Sequence, residues 1–312
     1  MLKAWLWGIG SAVLLTGCGG QSSSSAPVTS SSSSLATISS SSVSSVPVTP
    51  PEESELTVKQ ISWGDRSSQF GNLYLPQKTE RTSLPVVVMI HGGCWREPYG
   101  LELQDALSRA LAARDLAVWN IEYRRLGGGG EWPALFQDVA SATDYLPQLA
   151  VDYPLDTSRV VSMGHSAGGH LALWLASREN IDAISPLYRS NPQLVAGAIS
   201  LAGVADLEAP ACGDSARRLI DAQALSPGAL QYRLSNTSPI NMLPTGVPTV
   251  LFSGTRDGIV VSSISEAYVD AAIKAGDTSE HLPITGADHF DLIDPLFMDV
   301  TLLADTVESM VE

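Results

Sequence analysis

Residues 164–168 read Gly-His-Ser-Ala-Gly, a G-x-S-x-G pattern, and the residues around it give the pattern its meaning. An apolar run, Val160-Val161-Ser162-Met163, leads in. A helix-forming run, His170-Leu171-Ala172-Leu173-Trp174-Leu175-Ala176, leads out. A strand that passes directly into a helix must turn within a residue or two. The serine at such a turn takes a strained backbone, and glycines on both sides keep side chains out of the bend. The spacing therefore predicts a strand–turn–helix that holds the Ser166 hydroxyl at the tip of a strand.

The remaining pattern between residues 56 and 312 agrees with that unit. Alternating residues at 56–63 and 72–75 predict an opening hairpin. The continuous β-branched run at 85–90 predicts a strand buried on both faces. Helices are expected at 101–114, 133–149, 264–275 and 297–311, with Pro133 suited to a first turn. Further strands are expected at 117–123, 159–163, 194–202, 248–253 and 281–284. Strands alternating with long helices predict an α/β fold: a mostly parallel eight-stranded sheet with helices on both faces. Functional loops of such sheets lie at the carboxyl ends of the strands. The less regular stretch 206–243 reads as a cap-like excursion over that edge.

The N-terminal part is expected to lie outside the fold. Residues 1–17 combine Lys3 with an apolar stretch too short to span a bilayer, as in a signal peptide. The stretch ends Leu15-Thr16-Gly17-Cys18, which resembles a bacterial lipobox with Cys18 as the lipidation site. Gly19 stands where an aspartate would favour inner-membrane retention. The expectation is an exported lipoprotein of the outer membrane, on its periplasmic or cell-surface face. Residues 18–55 read as a lipid-anchored linker; 21–51 are about half serine and cannot bury enough surface to order themselves. That tether has a coil-like reach of roughly 30 Å and a stretched reach of about 100 Å.

Lys plus Arg number 18 against 33 Asp plus Glu, a formal net charge of −15. Such a surface argues against nucleic acid and against charge-driven binding to anionic membranes, so the only membrane contact expected is the lipid anchor. With Cys18 assigned to lipidation, Cys94 and Cys212 remain, and a disulfide or two thiols both fit.

A serine hydroxyl becomes a nucleophile when a base lies within hydrogen-bond reach and a third group orients that base. There are five histidines. His91 and His165 lie in glycine motifs, His170 falls a turn beyond Ser166, and His281 lies in or beside a strand. His289, in the loop Gly286-Ala287-Asp288-His289-Phe290 after the last strand, is the candidate base. Asp257, at the end of the strand before it, is the candidate acid. Asp206 is the runner-up, followed by Asp277, Asp288 and Asp291. Backbone donors for an oxyanion are expected from Ala167, next to the serine, and from Gly93 and Cys94 in His91-Gly92-Gly93-Cys94-Trp95. His91 is expected to brace that loop, and Trp95 fits either a pocket wall or the core. No metal or other cofactor is called for.

Residues 91–95 resemble the HGGxW signature of the kynurenine-formamidase-like and feruloyl/acetyl-xylan-esterase-like branch of the α/β-hydrolases. Tyr123-Arg124-Arg125, the glycines 127–130, Trp132-Pro133, Asp138-Val139, Gly164 to Gly169, Asp257-Gly258 and His289-Phe290-Asp291 are similar to that branch as well. The resemblance covers nearly all of residues 60–310. It implies the α/β-hydrolase fold, the triad Ser166, Asp257 and His289, and cofactor-free serine-hydrolase chemistry. The family contains esterases and formamidases, so the expectation is a carboxylic-ester hydrolase acting on short acyl, acetyl or feruloyl esters, small or polymer-borne. An arylformamidase and a non-catalytic binding protein on a hydrolase scaffold are the alternatives. Oligomeric state does not follow.

Overall fold

The computed structural model describes residues 56–97 and 99–312. The expected signal segment (1–17), the lipidation site Cys18 and the linker (18–55) lie outside them.

Strands β1 (Leu56–Ser62) and β2 (Phe70–Pro76) form the expected antiparallel hairpin. β3 (Leu84–Ile90) is buried at every residue. Its Val86, Val88 and Ile90 enter one apolar core and Val87 and Met89 a second, because successive strand side chains point to opposite faces. Next come α1 (Asp105–Ala112), β4 (Ala117–Ile121), α2 (Ala134–Asp144), α3 (Leu146–Leu149), β5 (Leu155–His165) and α4 (Ala167–Ala176). The chain continues through β6 (Gly197–Leu201), α5 (Ser215–Leu219), α6 (Pro227–Leu234), β7 (Thr249–Gly254), α7 (Ser262–Ala275), β8 (Ser279–Ile284) and α8 (Val300–Val311).

The sheet has eight strands in the order β1-β2-β4-β3-β5-β6-β7-β8. β2 is antiparallel to both its neighbours, and all other adjacent pairs are parallel. Leu107 and Leu111 of α1 and Leu303 and Val307 of α8 pack with Val87 and Met163 on one face. Phe136 of α2, Trp174 of α4 and Tyr268 of α7 pack with Val88 and Trp119 on the other. The predicted doubly covered sheet is therefore present.

Three local readings change. The helix expected at 133–149 breaks at Tyr145 into α2 and α3, and Pro133 stands just outside α2. Pro147 explains the break: it cannot donate back to Thr143, and its ring would press on that carbonyl. The helix expected from residue 101 begins as a 3-10 turn, Leu101–Gln104. β5 starts at Leu155, through a polar stretch that alternation alone does not mark. The excursion 206–243 carries α5 and α6 and sends Leu207, Leu219, Leu234 and Met242 into the core shared with α4.

The topology collects the chemistry at one edge. His91 follows β3, Ser166 follows β5, Asp257 follows β7 and His289 follows β8, each at a carboxyl end.

Candidate active site

Ser166 sits between β5 and α4 with φ 55° and ψ −117°, a conformation that costs a non-glycine residue about 1–3 kcal/mol. Its surroundings enforce it. The Ser166 amide donates to the Leu201 carbonyl at 2.8 Å, and its carbonyl accepts from the amides of His170 and Val204. A side chain at Gly168 would run into the Ile90 carbonyl, which is why the turn can press against β3.

Asp257 and His289 come together from loops 32 residues apart. His289 Nδ1–H donates to Asp257 Oδ2 at 2.7 Å, with both residues buried. Asp257 Oδ1 accepts from the amides of Ile259 (2.7 Å) and Val260 (2.9 Å). Burial by itself would raise this carboxyl, but the His289 bond and the two amides outweigh it and hold Asp257 below the ordinary carboxylate range. The ionised carboxylate commits the proton of His289 to Nδ1 and leaves Nε2 as an acceptor. Ser166 Oγ itself makes no hydrogen bond among the described residues; such contacts often close only around substrate.

The two sides meet through His165. Its ring lies 4.5 Å from that of His289, centroid to centroid, and its Nε2–H donates to the His289 carbonyl at 2.9 Å. Burial, with the neighbouring His289, pushes the His165 imidazole down to about 3, so it is neutral.

Gly93, Cys94 and Trp95 have φ of 106°, 52° and 58°, three consecutive residues in the left-handed region. The amides of Gly93 and Cys94 have no hydrogen-bond partner among the described residues, and Ala167 opens α4, where amides lack an intrahelical acceptor. The loop crosses the elbow closely: a Cβ on Gly92 would lie 3.2 Å from Ser166 Cβ and 3.0 Å from His165 Nδ1. His91 braces it as expected, with Nε2 bonded to Glu122 Oε1 at 3.1 Å and the ring stacked on Tyr123 at 4.3 Å. The Tyr123 hydroxyl donates to the His91 carbonyl. Trp95 is fully buried, edge-on to His170, and so belongs to the core. Cys94 and Cys212 are disulfide-bonded, with Cα atoms 5.4 Å apart.

The other candidates have local work. Asp206 accepts from the Glu208 amide, and Asp277 from the amides of Thr245 and Gly246. Asp288 and Asp291 cap each other's turn. His170 donates to the Thr237 carbonyl under the elbow, and His281 bonds Ser253. The sequence reading missed Glu122 as the partner of His91 and the tie from His165 to the His289 carbonyl. Glu122 could have been sought beside Tyr123-Arg124-Arg125; a bond to a main-chain carbonyl 124 residues away leaves no sequence signal.

Fold and edge together define an α/β-hydrolase. The sequence profile of the BD-FAE family matches residues 72–271, and the chain belongs to that family. It is 26% identical to a probable isoprenylcysteine alpha-carbonyl methylesterase of Oryza sativa subsp. japonica over 272 residues, covering 78% of this chain and 60% of that protein. It is 24% identical to the kynurenine formamidase of Drosophila melanogaster over 260 residues, covering 80% of this chain and 79% of the relative. A truncated carbohydrate esterase from gut microbiota superposes with a TM-score of 0.66 at 19% identity, over 84% of this chain and 99% of that one. This chain thus spans about three fifths of the plant methylesterase.

Proposed function

We propose that the protein is a serine hydrolase of carboxylic esters. Ser166 attacks the ester carbonyl while His289 Nε2 takes its proton. Asp257 keeps the ring in the Nδ1–H tautomer and stabilises the imidazolium. The amides of Ala167, Gly93 and Cys94 donate to the oxygen on which negative charge develops. His289 then protonates the departing alcohol, and water activated by the same imidazole releases the acid from the acyl-enzyme. The observation that carries this reading is the 2.7 Å Asp257–His289 bond, tied through His165 to a serine held at φ 55°.

The substrates we propose are short acyl, acetyl or feruloyl esters, including esters borne on polysaccharide. Likeness to a carbohydrate esterase supports this, as does the sequence of the N-terminal part. A domain anchored through Cys18 on a serine-rich tether at the outer membrane would reach esters fixed to a polymer. Likeness to a kynurenine formamidase, over most of both chains, keeps formamide hydrolysis as the second reading.

Hydrolysis of p-nitrophenyl acetate, methyl ferulate, acetylated xylan and N-formylkynurenine by the purified protein separates the readings. Ester turnover is expected to dominate, and a formamide rate well above every ester rate would reverse the assignment. Ser166→Ala is expected to lower ester turnover by about ten-thousand-fold or more.

A further inference from the structure

The oxyanion loop adopts a conformation that its own sequence does not favour. Cys94 and Trp95 both carry a Cβ and both lie at positive φ, directly after Gly93. Strain of this kind persists only where neighbours over-determine it. Trp95 is locked in the core against His170. The backbone turns back at Arg96, whose amide donates to the Gly93 carbonyl at 3.0 Å. On its far side the loop is tied to Leu126, whose amide donates to the Trp95 carbonyl at 2.8 Å, and Cys94 itself is held from the outside by the excursion after β6. Cys212 bonds it covalently, and Asp214 and Ser215 at the start of α5 take the Arg96 guanidinium. Arg96 and Asp214 are both substantially exposed, and exposed ion pairs hold loosely. The covalent link is the stronger tie. Cys212 is itself at positive φ (59°), so the segment presenting it is also held out of its preferred conformation.

We propose that the Cys94–Cys212 bridge is a positioning element for catalysis: it keeps the Gly93 and Cys94 amides aimed at the oxyanion. The inference rests on the serine-hydrolase reading above. Cys212 touches no substrate; it acts through the Cys94 backbone. Opening the bridge leaves Trp95 locked but frees Gly93 and Cys94 to relax, and their amides leave their station. Ground-state binding survives, because these amides matter most when charge develops on the oxygen. Both cysteines are partly exposed, so a reductant can reach them.

The test compares the wild type, Cys212→Ser, and the folded wild type treated with dithiothreitol. The reagent supplies two electrons and two protons to the bridge, giving two thiols and its own cyclic disulfide. Two readouts are followed: kcat and KM for p-nitrophenyl acetate, and the rate at which an alkyl fluorophosphonate labels Ser166. The expected result is a 10- to 100-fold fall in kcat and in labelling rate, with KM changed less than about two-fold. Reoxidation with diamide is expected to restore the reduced wild type and leave Cys212→Ser unchanged. Labelling and turnover within two-fold of wild type in the opened forms would overturn the role of the bridge and leave the serine-hydrolase reading standing. A wild type that neither labels nor turns over ester would overturn that reading and the bridge's role with it. If Cys212→Ser does not fold, the reduced wild type decides. Loss of its near-UV circular dichroism in parallel with activity would assign the bridge to global stability instead.

Discussion

The two halves of the candidate site are held in different ways. On the acid–base side, every tie is a hydrogen bond with ordinary geometry. Asp257 is satisfied on both oxygens by His289 and two amides, and His289 is tied back through its own carbonyl to His165. On the oxyanion side, three residues in a row lie at positive φ, and a disulfide joins them to a distant excursion. Hydrogen bonds suffice where the loops follow β7 and β8 and fall naturally at the sheet edge. A covalent tie and a packed tryptophan accompany the loop whose conformation is intrinsically costly. The first side should therefore fail through its chemistry and the second through its geometry.

The largest effect expected in this comparison is on the acid–base side. Asp257→Asn keeps the shape but lets the imidazole take the wrong tautomer, and kcat should fall about 1,000- to 10,000-fold with little change in KM. Steady-state kinetics on p-nitrophenyl acetate check it; a loss below ten-fold would remove Asp257 from the proposed triad. Gly93→Ala should cost less, about 100- to 1,000-fold in kcat. Residue 93 sits at φ 106°, and a methyl group there would meet the Tyr99 side chain. Activity within three-fold of wild type would mean that this loop supplies no essential donor.

Acid should then weaken both halves, and a variant separates their shares. His165 belongs to the acid–base side and His170, beneath Trp95, to the oxyanion side. Burial pushes them down to about 3 and about 4. Their folded values lie below the unfolded value of about 6.5, so between those limits the unfolded chain binds more protons. The stability that these two buried histidines contribute is thus complete above about pH 6.5 and falls as pH drops toward 4, by about 1.4 kcal/mol per unit for each. Asp257, whose carboxyl is held below the ordinary range, keeps its contribution through that window and loses it only at lower pH. Urea midpoints at pH 7, 5.5 and 4.5 measure the slope, and His170→Gln should remove about half of it. An unchanged slope in that variant would deny that His170 is buried neutral. The smallest effect is expected from Asp206→Asn, the rival acid: kcat should stay within two-fold, because Asp206 only accepts from the Glu208 amide.

Much of this was legible along the chain. The run at 85–90 announced a strand buried on both faces, and β3 is buried throughout. The elbow around Ser166 was visible because a strand, two glycine positions and a helix follow one another directly between residues 160 and 176. Asp257 and His289 were chosen as candidates by where they stand after late strands, and the structure pairs them. The expected 133–149 helix was read as one long element from its periodicity, and the structure breaks it at Tyr145, next to Pro147.

What the chain carried by itself was therefore the set of local choices: which segments extend, which coil, and which side chains stand at strand ends. Those follow from side-chain period, turn residues and backbone sterics, all acting within about ten residues. Tertiary structure decided the pairings. Cys94 with Cys212, His165 with the His289 carbonyl and His91 with Glu122 span 118, 124 and 31 residues. Nothing local shows that the two cysteines close on each other, or distinguishes the chosen histidine partners from their rivals. Only the assembled sheet, with its strand order and crossovers, brings one candidate within hydrogen-bonding or bonding distance and leaves the others to cap turns elsewhere.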